Sequence, residues 1–347
     1  MKAKQKWRLL RDGIKDPFMH FAIEEALLRL TDENYTLPTL RLRQTEPSVW
    51  IGYYQQPQED VDIAYCQQKQ LKIVRRLNSG GAVYQDEGTF CYSAFFNKSD
   101  FFATYQINSS DELYPLFGRV ITDLCSSYNI QATLSPVNDI TVNGKKIYGS
   151  AQLDWYSAFA HSGSILVNVD KEAMQQALKP SNLKFVDKGF KTVIERVVNL
   201  SELSAKAPGI NQIQTDFVKS FAKALVVEFV EQPLTSKEMQ LAEKLYREKY
   251  SKPEWTFSAA KHYSTVVSTK ISSGVLLLKC ELLQNKIQSA SLSGDFLIPN
   301  HRLVENLLSN LGEKTLSQAM EIVQDSNLPN DLVLGLTQLL NQLKSGI

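Results

Sequence analysis

Asn143-Gly144 sits between two extended runs in "NDITVNGKKIYGSAQ" and constrains the fold more than any other dipeptide in this 347-residue chain. Both positions accept positive φ, so the pair suits a type I′ turn and joins its flanks as an antiparallel hairpin. Short segments rich in β-branched and aromatic residues precede it: "LRLRQ", "PSVWIGYY", "LKIVRRL", "GAVY" and "FCYSAFF", parted by Pro, Gly, Asn or Asp. "SGSILVNVD" reads as a further strand. Apolar residues at helical spacing predict helices over 19–30 and 110–128, and helices are also expected over 171–178, 211–230 and 236–249. Alternation of sheet and helices is an α+β pattern around a mixed sheet. The stretch "SKPEWTF", 251–257, interrupts it. Beyond it come three strand-like segments, "HYSTVVSTKI", "GVLLLKCELLQ" and "KIQSASLSGDFL", then helices near 301–310, 315–323 and 331–343. The expected division is a larger unit over 1–250, a linker over 251–256 and a smaller α+β unit over 257–347.

The length suffices for two or three buried cores without disulfide or metal staples. Lys plus Arg, 38, nearly cancel Asp plus Glu, 37, so a net charge of +1 supplies no general field for nucleic acid or a membrane surface. Any anion must be met by a local cluster. Cys66, Cys91, Cys125 and Cys280 stand far apart without a C-x-x-C pair, which argues against a zinc site and a disulfide framework and for reduced thiols. Cys91 and Cys125 are expected in a core or on a helix surface. His20, His262 and His301 lack partners at metal-ligand spacing, Trp50 is expected in a core strand, and Asp295 either caps a turn or helps two domains meet. The N-terminus lacks an apolar h-region, and no run approaches the roughly 20 apolar residues of a membrane span. A cytoplasmic protein is expected.

The densest chemistry lies in "RRLNSGGAVYQD", 75–86. It has neither the G-x-x-x-x-G-K-[ST] of a phosphate loop nor the G-x-G-x-x-G of a dinucleotide fold. "AVY" continues as strand, so the glycines either bring backbone close to a ligand between two strands or form a plain bulge with Arg75 and Arg76 in solvent. In the hairpin, alternation across "KKIYGSA" puts Lys146, Tyr148 and Ser150 on one face and Lys145, Ile147 and Gly149 on the other. Lys146 is then either a cleft lysine or an ordinary surface one. Small Gly149, Ser150 and Ala151 suit close approach of a ligand, and Asn138-Asp139 offer oxygens to a hard cation.

Together with "HSGSILVNVD", these stretches in this order resemble lipoate–protein ligase A, within the wider lipoate/biotin ligase and octanoyltransferase superfamily. "HFAIEEALL", "PSVWIGYYQQP", "VIERVVNLSEL" and "SASLSGDFL" extend the similarity over about 8–345. The resemblance implies a catalytic domain followed by an accessory domain, ATP and Mg2+ as cofactors, and lipoate or octanoate activated as acyl-AMP. The acyl group then passes to a lysine of a lipoyl carrier domain, in glycine-cleavage H-protein or the E2 subunit of a 2-oxoacid dehydrogenase. The protein is expected to act as a monomer, without nucleic acid or membrane, and to move its accessory domain about a hinge near "SKPEWTF". By resemblance Arg76 contacts the acyl-adenylate, Gly80 and Gly81 line the acyl pocket, Asn78 and Ser79 belong with them to the lipoyl-AMP-binding set, and Val83 and Tyr84 meet the adenine through their backbone. Lys146 contacts the acyl carbonyl and the phosphate, with Gly149, Ser150 and Ala151 beside it; Asn138 and Asp139 lie near the phosphates and the metal.

Departures from the family cluster around that pocket. Ser79 replaces the first of three glycines, Gln85 stands where histidine is usual, and Ser162 stands where histidine precedes Gly163, with His161 one position early. They point to a specialised member with a narrow acceptor. Related octanoyltransferases and amidotransferases carry the acyl group on a cysteine, but "TLSPVND" and "KPSNLK", the corresponding regions, have none. A catalytically weak carrier-binding member is the other alternative.

Overall fold

The computed structural model describes residues 4–135, 137–179, 192–204, 208–257 and 263–345. His262 and most of "KPSNLK" lie outside the described residues. Strands β1 (Gln5–Arg11), β2 (Thr39–Arg43), β3 (Ser48–Ile51), β4 (Lys72–Arg75), β5 (Val83–Gln85) and β6 (Thr89–Asn97) precede the helix Leu113–Ser127. After it come β7 (Thr133–Ser135), β8 (Asp139–Val142), β9 (Lys145–Trp155), β10 (Ala158–Leu166) and β11 (Val227–Glu231). An eight-stranded mixed sheet runs β11-β1-β2-β6-β10-β9-β8-β7, and β4-β3-β5 form a small second sheet. The smaller C-terminal domain is the antiparallel meander β12 (Thr265–Ile271), β13 (Gly274–Leu283) and β14 (Lys286–Gly294), covered by the helices His301–Leu311, Leu316–Gln324 and Asn330–Ser345.

Helices Leu113–Ser127 and Ile210–Leu225 cover one face of the large sheet with an aromatic core of Trp7, Tyr92, Phe96, Phe117, Phe217 and Phe221. The helix Pro17–Asp32 packs Ala22, Ala26 and Leu27 against Leu153 and Ala160 on the other face. The small sheet lies on that second face too, so the cleft between the sheets is walled by strands on both sides. At the Asn143-Gly144 turn φ is 50° and 77°, and Val142 pairs with Lys145 across it, as type I′ chemistry requires.

Three expectations need correction. The helix predicted over 211–230 stops at Leu225; Val226 takes φ 53°, and Val227–Glu231 becomes β11, parallel to β1. "VVEFV" prefers a pleated surface, and β1, a strand not expected from the sequence, offers it an edge. The helix predicted over 236–249 is α-helical only to Leu245 and continues as a π-helical turn, Tyr246–Tyr250. In β9 a bulge breaks the simple alternation: Ile140 pairs with Tyr148 but Thr141 with Lys146. Ile147 and Tyr148 are consequently both in the aromatic core, and Lys146 shares its face with Gly149 instead of with Tyr148. The stretch 251–257 holds a short helix, Pro253–Thr256, and Arg75 donates to its carbonyls at Trp255 (3.0 Å) and Thr256 (2.9 Å).

Among the described residues no helix is long and apolar enough to cross a membrane. All four cysteines are unbridged and buried.

Candidate functional site

Register carries one line of side chains straight across the large sheet. Arg43 on β2 is opposite Cys91 on β6, Cys91 opposite Ser164 on β10, Ser164 opposite Gly149 on β9, and Gly149 opposite Asp139 on β8. Directly opposed residues project from the same face, and all five line a cavity of about 340 Å³ between the two sheets. Loop 76–82 and β5 form its far wall, and the C-terminal domain closes it with Lys270–Val275, Asp295 and Leu297.

At one end Lys146 reaches over Gly149. Its Nζ lies 2.6 Å from Asp139 Oδ1, and Arg196 Nη2 donates to Asp139 Oδ2 at 3.3 Å. A Cβ at Gly149 would overlap Lys146 Nζ and lie 3.3 Å from Asp139 Oδ1, so only glycine lets the lysine cross the strand here. Gly149→Ala should therefore leave the fold intact but push the ammonium aside. A displacement of this order typically costs about 10²-fold in rate; the rate of the proposed acid activation compared with the thermal melting of the same variant is the check.

The two arginines at the start of the stretch 75–86 have different roles. The Arg75 guanidinium also donates to the carbonyls of Gly52, Tyr53 and Gln55, so it is fully used in holding loops and linker together. Arg76 donates to the carbonyls of Trp50 (3.0 Å), Ser79 (3.0 Å) and Gly81 (2.8 Å), fixing the 79–81 loop from within. Burial lowers its pKa to about 10, which still leaves it charged at neutral pH. Gly80 takes φ 94°, presses its carbonyl onto Gly52 and donates its N–H to Phe296 O, while Ser79 Oγ bonds both the carbonyl and the N–H of Ile298. The loop thus touches the C-terminal domain directly. His301 adds to that contact, donating from Nε2 to Leu77 O at 2.6 Å and accepting from Tyr54 OH at 3.0 Å; burial lowers its pKa to about 4, so it is neutral. Asp295, left open by the sequence, accepts from Val275 N at 2.6 Å.

Of the candidate site residues only His161 is off the cavity: Arg76, Asn78, Ser79, Gly80, Gly81, Val83, Tyr84, Gln85, Asn138, Asp139, Lys146, Gly149, Ser150, Ala151, Ser162 and Gly163 all line it. His161 projects to the opposite face, where its ring stacks on Phe117 with centroids 4.1 Å apart and burial lowers its pKa to about 3. Strand alternation explains this, because Ser162, next to it, faces the cleft. Arg43, Arg196 and the C-terminal-domain segment Lys270–Val275 were not found from sequence; no local pattern marks them, since only strand register and domain packing bring them in. Cys91, expected in a core or on a helix surface, is buried and also lines the cavity; burial raises its thiol to about 12, so it stays protonated and unreactive.

The pair Asn138-Asp139 is a poor ready-made metal cradle. Asp139 is engaged by two cations and Asn138 Nδ2 donates to Ser150 O, and among the described residues no cluster of three or more acidic, histidine or cysteine side chains is grouped for a metal. Any Mg2+ here must come with phosphate ligands of its own.

The geometry has counterparts. The family model of the lipoyl protein ligase A/B catalytic domain matches residues 16–222. The chain belongs to this family. It is 29% identical to lipoate–protein ligase 1 of Staphylococcus aureus over 287 residues, 82% of this chain and 83% of that protein. It is 30% identical to lipoate–protein ligase A subunit 1 of Thermoplasma acidophilum over 240 residues, 68% and 90% of the two chains. Among solved structures, a bipartite lipoate protein ligase of Thermoplasma acidophilum, described with its E2 lipoyl domain, superimposes with TM-score 0.64 and 26% identity, covering 75% of this chain and all of that one. A lipoate–protein ligase A bound with ATP gives TM-score 0.63 at 25% identity, covering 74% of this chain and 100% of that one. The LipL1 protein of P. falciparum in complex with lipoate shares the fold over 98% of both chains, with TM-score 0.75 and 19% identity. In this lipoyl protein ligase family member the cleft between the sheets is thus the candidate active site.

Proposed function

We propose that the protein is an AMP-forming lipoate–protein ligase. A carboxylate oxygen of lipoate or octanoate attacks the α-phosphorus of ATP, the bond to the β-phosphate oxygen breaks, and pyrophosphate leaves. The ε-amino group of a carrier lysine then attacks the acyl carbonyl, loses a proton and expels AMP. The single observation that carries this reading is the ladder from Arg43 to Asp139, a trough with the Lys146 ammonium near one end. Two anions must meet for the first step, and a cation placed between their oxygens holds them and follows the charge that develops. Lys146 takes that role. Arg76 shapes the loop whose backbone faces the adenylate, with Asn78, Ser79, Gly80 and Gly81 forming the wall, Val83 and Tyr84 beside the adenine, and Gln85, Ser150, Ala151, Ser162 and Gly163 along the acyl chain. Asp139 and Asn138 would hold magnesium only together with phosphate oxygens of ATP, and the ion would supply neutralisation of the phosphate charge there. A protonated, buried Cys91 weighs against a thioester route.

On this reading residues 1–250 are catalytic, 251–256 the linker and 257–347 the accessory domain, in a cytoplasmic monomer. The acceptor is a lipoyl carrier domain, H-protein or an E2 subunit, and the replacements at Gln85 and Ser162 go with a narrow choice between them. The test is incubation with ATP, Mg2+ and lipoate before any carrier is added. Lipoate-dependent pyrophosphate release is expected; transfer from an octanoylated carrier without pyrophosphate would establish an acyltransferase instead.

A further inference from the structure

Arg43 is buried, 4% exposed, and incompletely satisfied. Nη2 donates to Ser93 Oγ at 3.0 Å and Nε lies 3.6 Å from Glu24 Oε1, while Nη1 is without a hydrogen-bond partner among the described residues. The guanidinium stands over the Trp50 ring, its carbon 5.4 Å from the centroid, and both side chains line the cavity. Polar neighbours surround it: Ser162 Oγ bonds Ser93 Oγ at 2.8 Å, and Gln85 Oε1 accepts from the thiol of Cys91, the residue opposite Arg43. A donor this deeply buried without a partner is uncommon and calls for an occupant.

Its position relative to Lys146 defines that occupant. Arg43 and Gly149 are three strands apart on the ladder, roughly 14 Å between Cα atoms at ~4.8 Å per strand. An extended eight-carbon acid spans roughly 8 Å, taking about 1.2 Å of advance per bond. With Lys146 reaching in from one end and the Arg43 side chain from the other, an acid of this length touches both. Charge narrows the choice further. Arg43 and Arg41 are matched by Glu24 and Asp12, with Arg41 2.7 Å from Glu24 and 2.6 Å from Asp12. The cluster is neutral overall, so a second full anion has no surplus cation to meet, whereas a neutral acceptor completes the guanidinium.

We infer that Arg43 reads the far end of the acyl chain, selecting an acid of about eight carbons that ends in a neutral hydrogen-bond acceptor over one that ends in a methyl group. The inference rests on the acid-activating function proposed above. The dithiolane of lipoate offers sulfur, a weak acceptor; its S-oxide offers an oxygen and is a stronger match; octanoate covers Nη1 with a methyl group and leaves it dry and unpaired. That last state costs enough to separate the acids by about tenfold or more.

The experiment is the KM of the wild-type protein for octanoate, lipoate and lipoate S-oxide at saturating ATP, followed by pyrophosphate release, and the same series with Arg43→Met. Expected is a KM for octanoate at least tenfold above that for lipoate, with the S-oxide equal to or below lipoate, and a collapse of these ratios toward one in Arg43→Met. Octanoate equal to lipoate in the wild type, or ratios unchanged in a folded Arg43→Met, overturns the inference. Should that variant not fold, the wild-type series decides, because an S-oxide tenfold weaker than lipoate contradicts an acceptor-seeking end. Absence of pyrophosphate release with all three acids would instead overturn the proposed function.

Discussion

Lys146→Ala lowers lipoate-dependent pyrophosphate release by about 10²–10³, the usual effect of removing one group that stabilises developing charge. The fold should barely notice. The Lys146 side chain is 27% exposed at the cavity edge, and Asp139 keeps Arg196 as a partner when the ammonium is gone. Lys146→Arg should rescue little, because a planar fork does not reproduce the position and donors of a compact ammonium. Lys145 is exposed at the turn, and Lys145→Ala is the control, expected to behave like wild type. Measuring all three at the same ATP and Mg2+, with a thermal melt of each, separates chemistry from folding. Near-normal release by Lys146→Ala would end the case for this lysine.

Arg8→Met should lower the unfolding free energy by about 3–5 kcal/mol, the cost of leaving a buried carboxylate without its cation. Arg8 donates to Glu238 at 2.9 and 2.7 Å and to Thr39 Oγ1 at 3.1 Å, and the pair is almost fully buried, with side-chain exposures of 2% and 1%. Glu238 also accepts from Thr235 N at 2.7 Å, so one carboxylate both caps the N-terminus of its own helix, Ser236–Leu245, and ties that helix to β1. Adding Glu238→Leu should recover much of the loss, since an apolar pair needs no desolvated charge, leaving a deficit of about 1 kcal/mol for the broken cap. Urea unfolding of the two variants is the measurement. A loss below about 1 kcal/mol in Arg8→Met would mean that water reaches Glu238.

Several features were legible because their cause is local. Asn143-Gly144 becomes a tight turn through the φ preferences of two residues. The helix Leu113–Ser127 follows from one apolar stripe, and the C-terminal meander from alternation and turn residues. Arg76, the glycine pair and Lys146 stood out by residue type alone, and the cavity contains all of them.

Tertiary structure decided the rest. Ile147 and Tyr148 both belong to the aromatic core, and the bulge that allows this turns Lys146 onto the face of Gly149; alternation by two cannot foresee it, since the extra residue answers to packing on another layer. His161 turns into the aromatic core while its neighbour Ser162 faces the cleft, because strand pleat outranks residue type. Arg75 and Arg76 are neighbours in sequence, yet one pins the linker at Trp255 and Thr256 and the other clamps its own loop. Arg43 joins the site across three strands, and Lys270–Val275 join it from another domain. The sequence by itself determined turns, helical stripes and the charged residues available for chemistry, since these follow from short-range dihedral preference and spacing. Which side chains meet in the cleft was decided by register and domain contact, which depend on residues far apart in the chain and on the burial that brings them together.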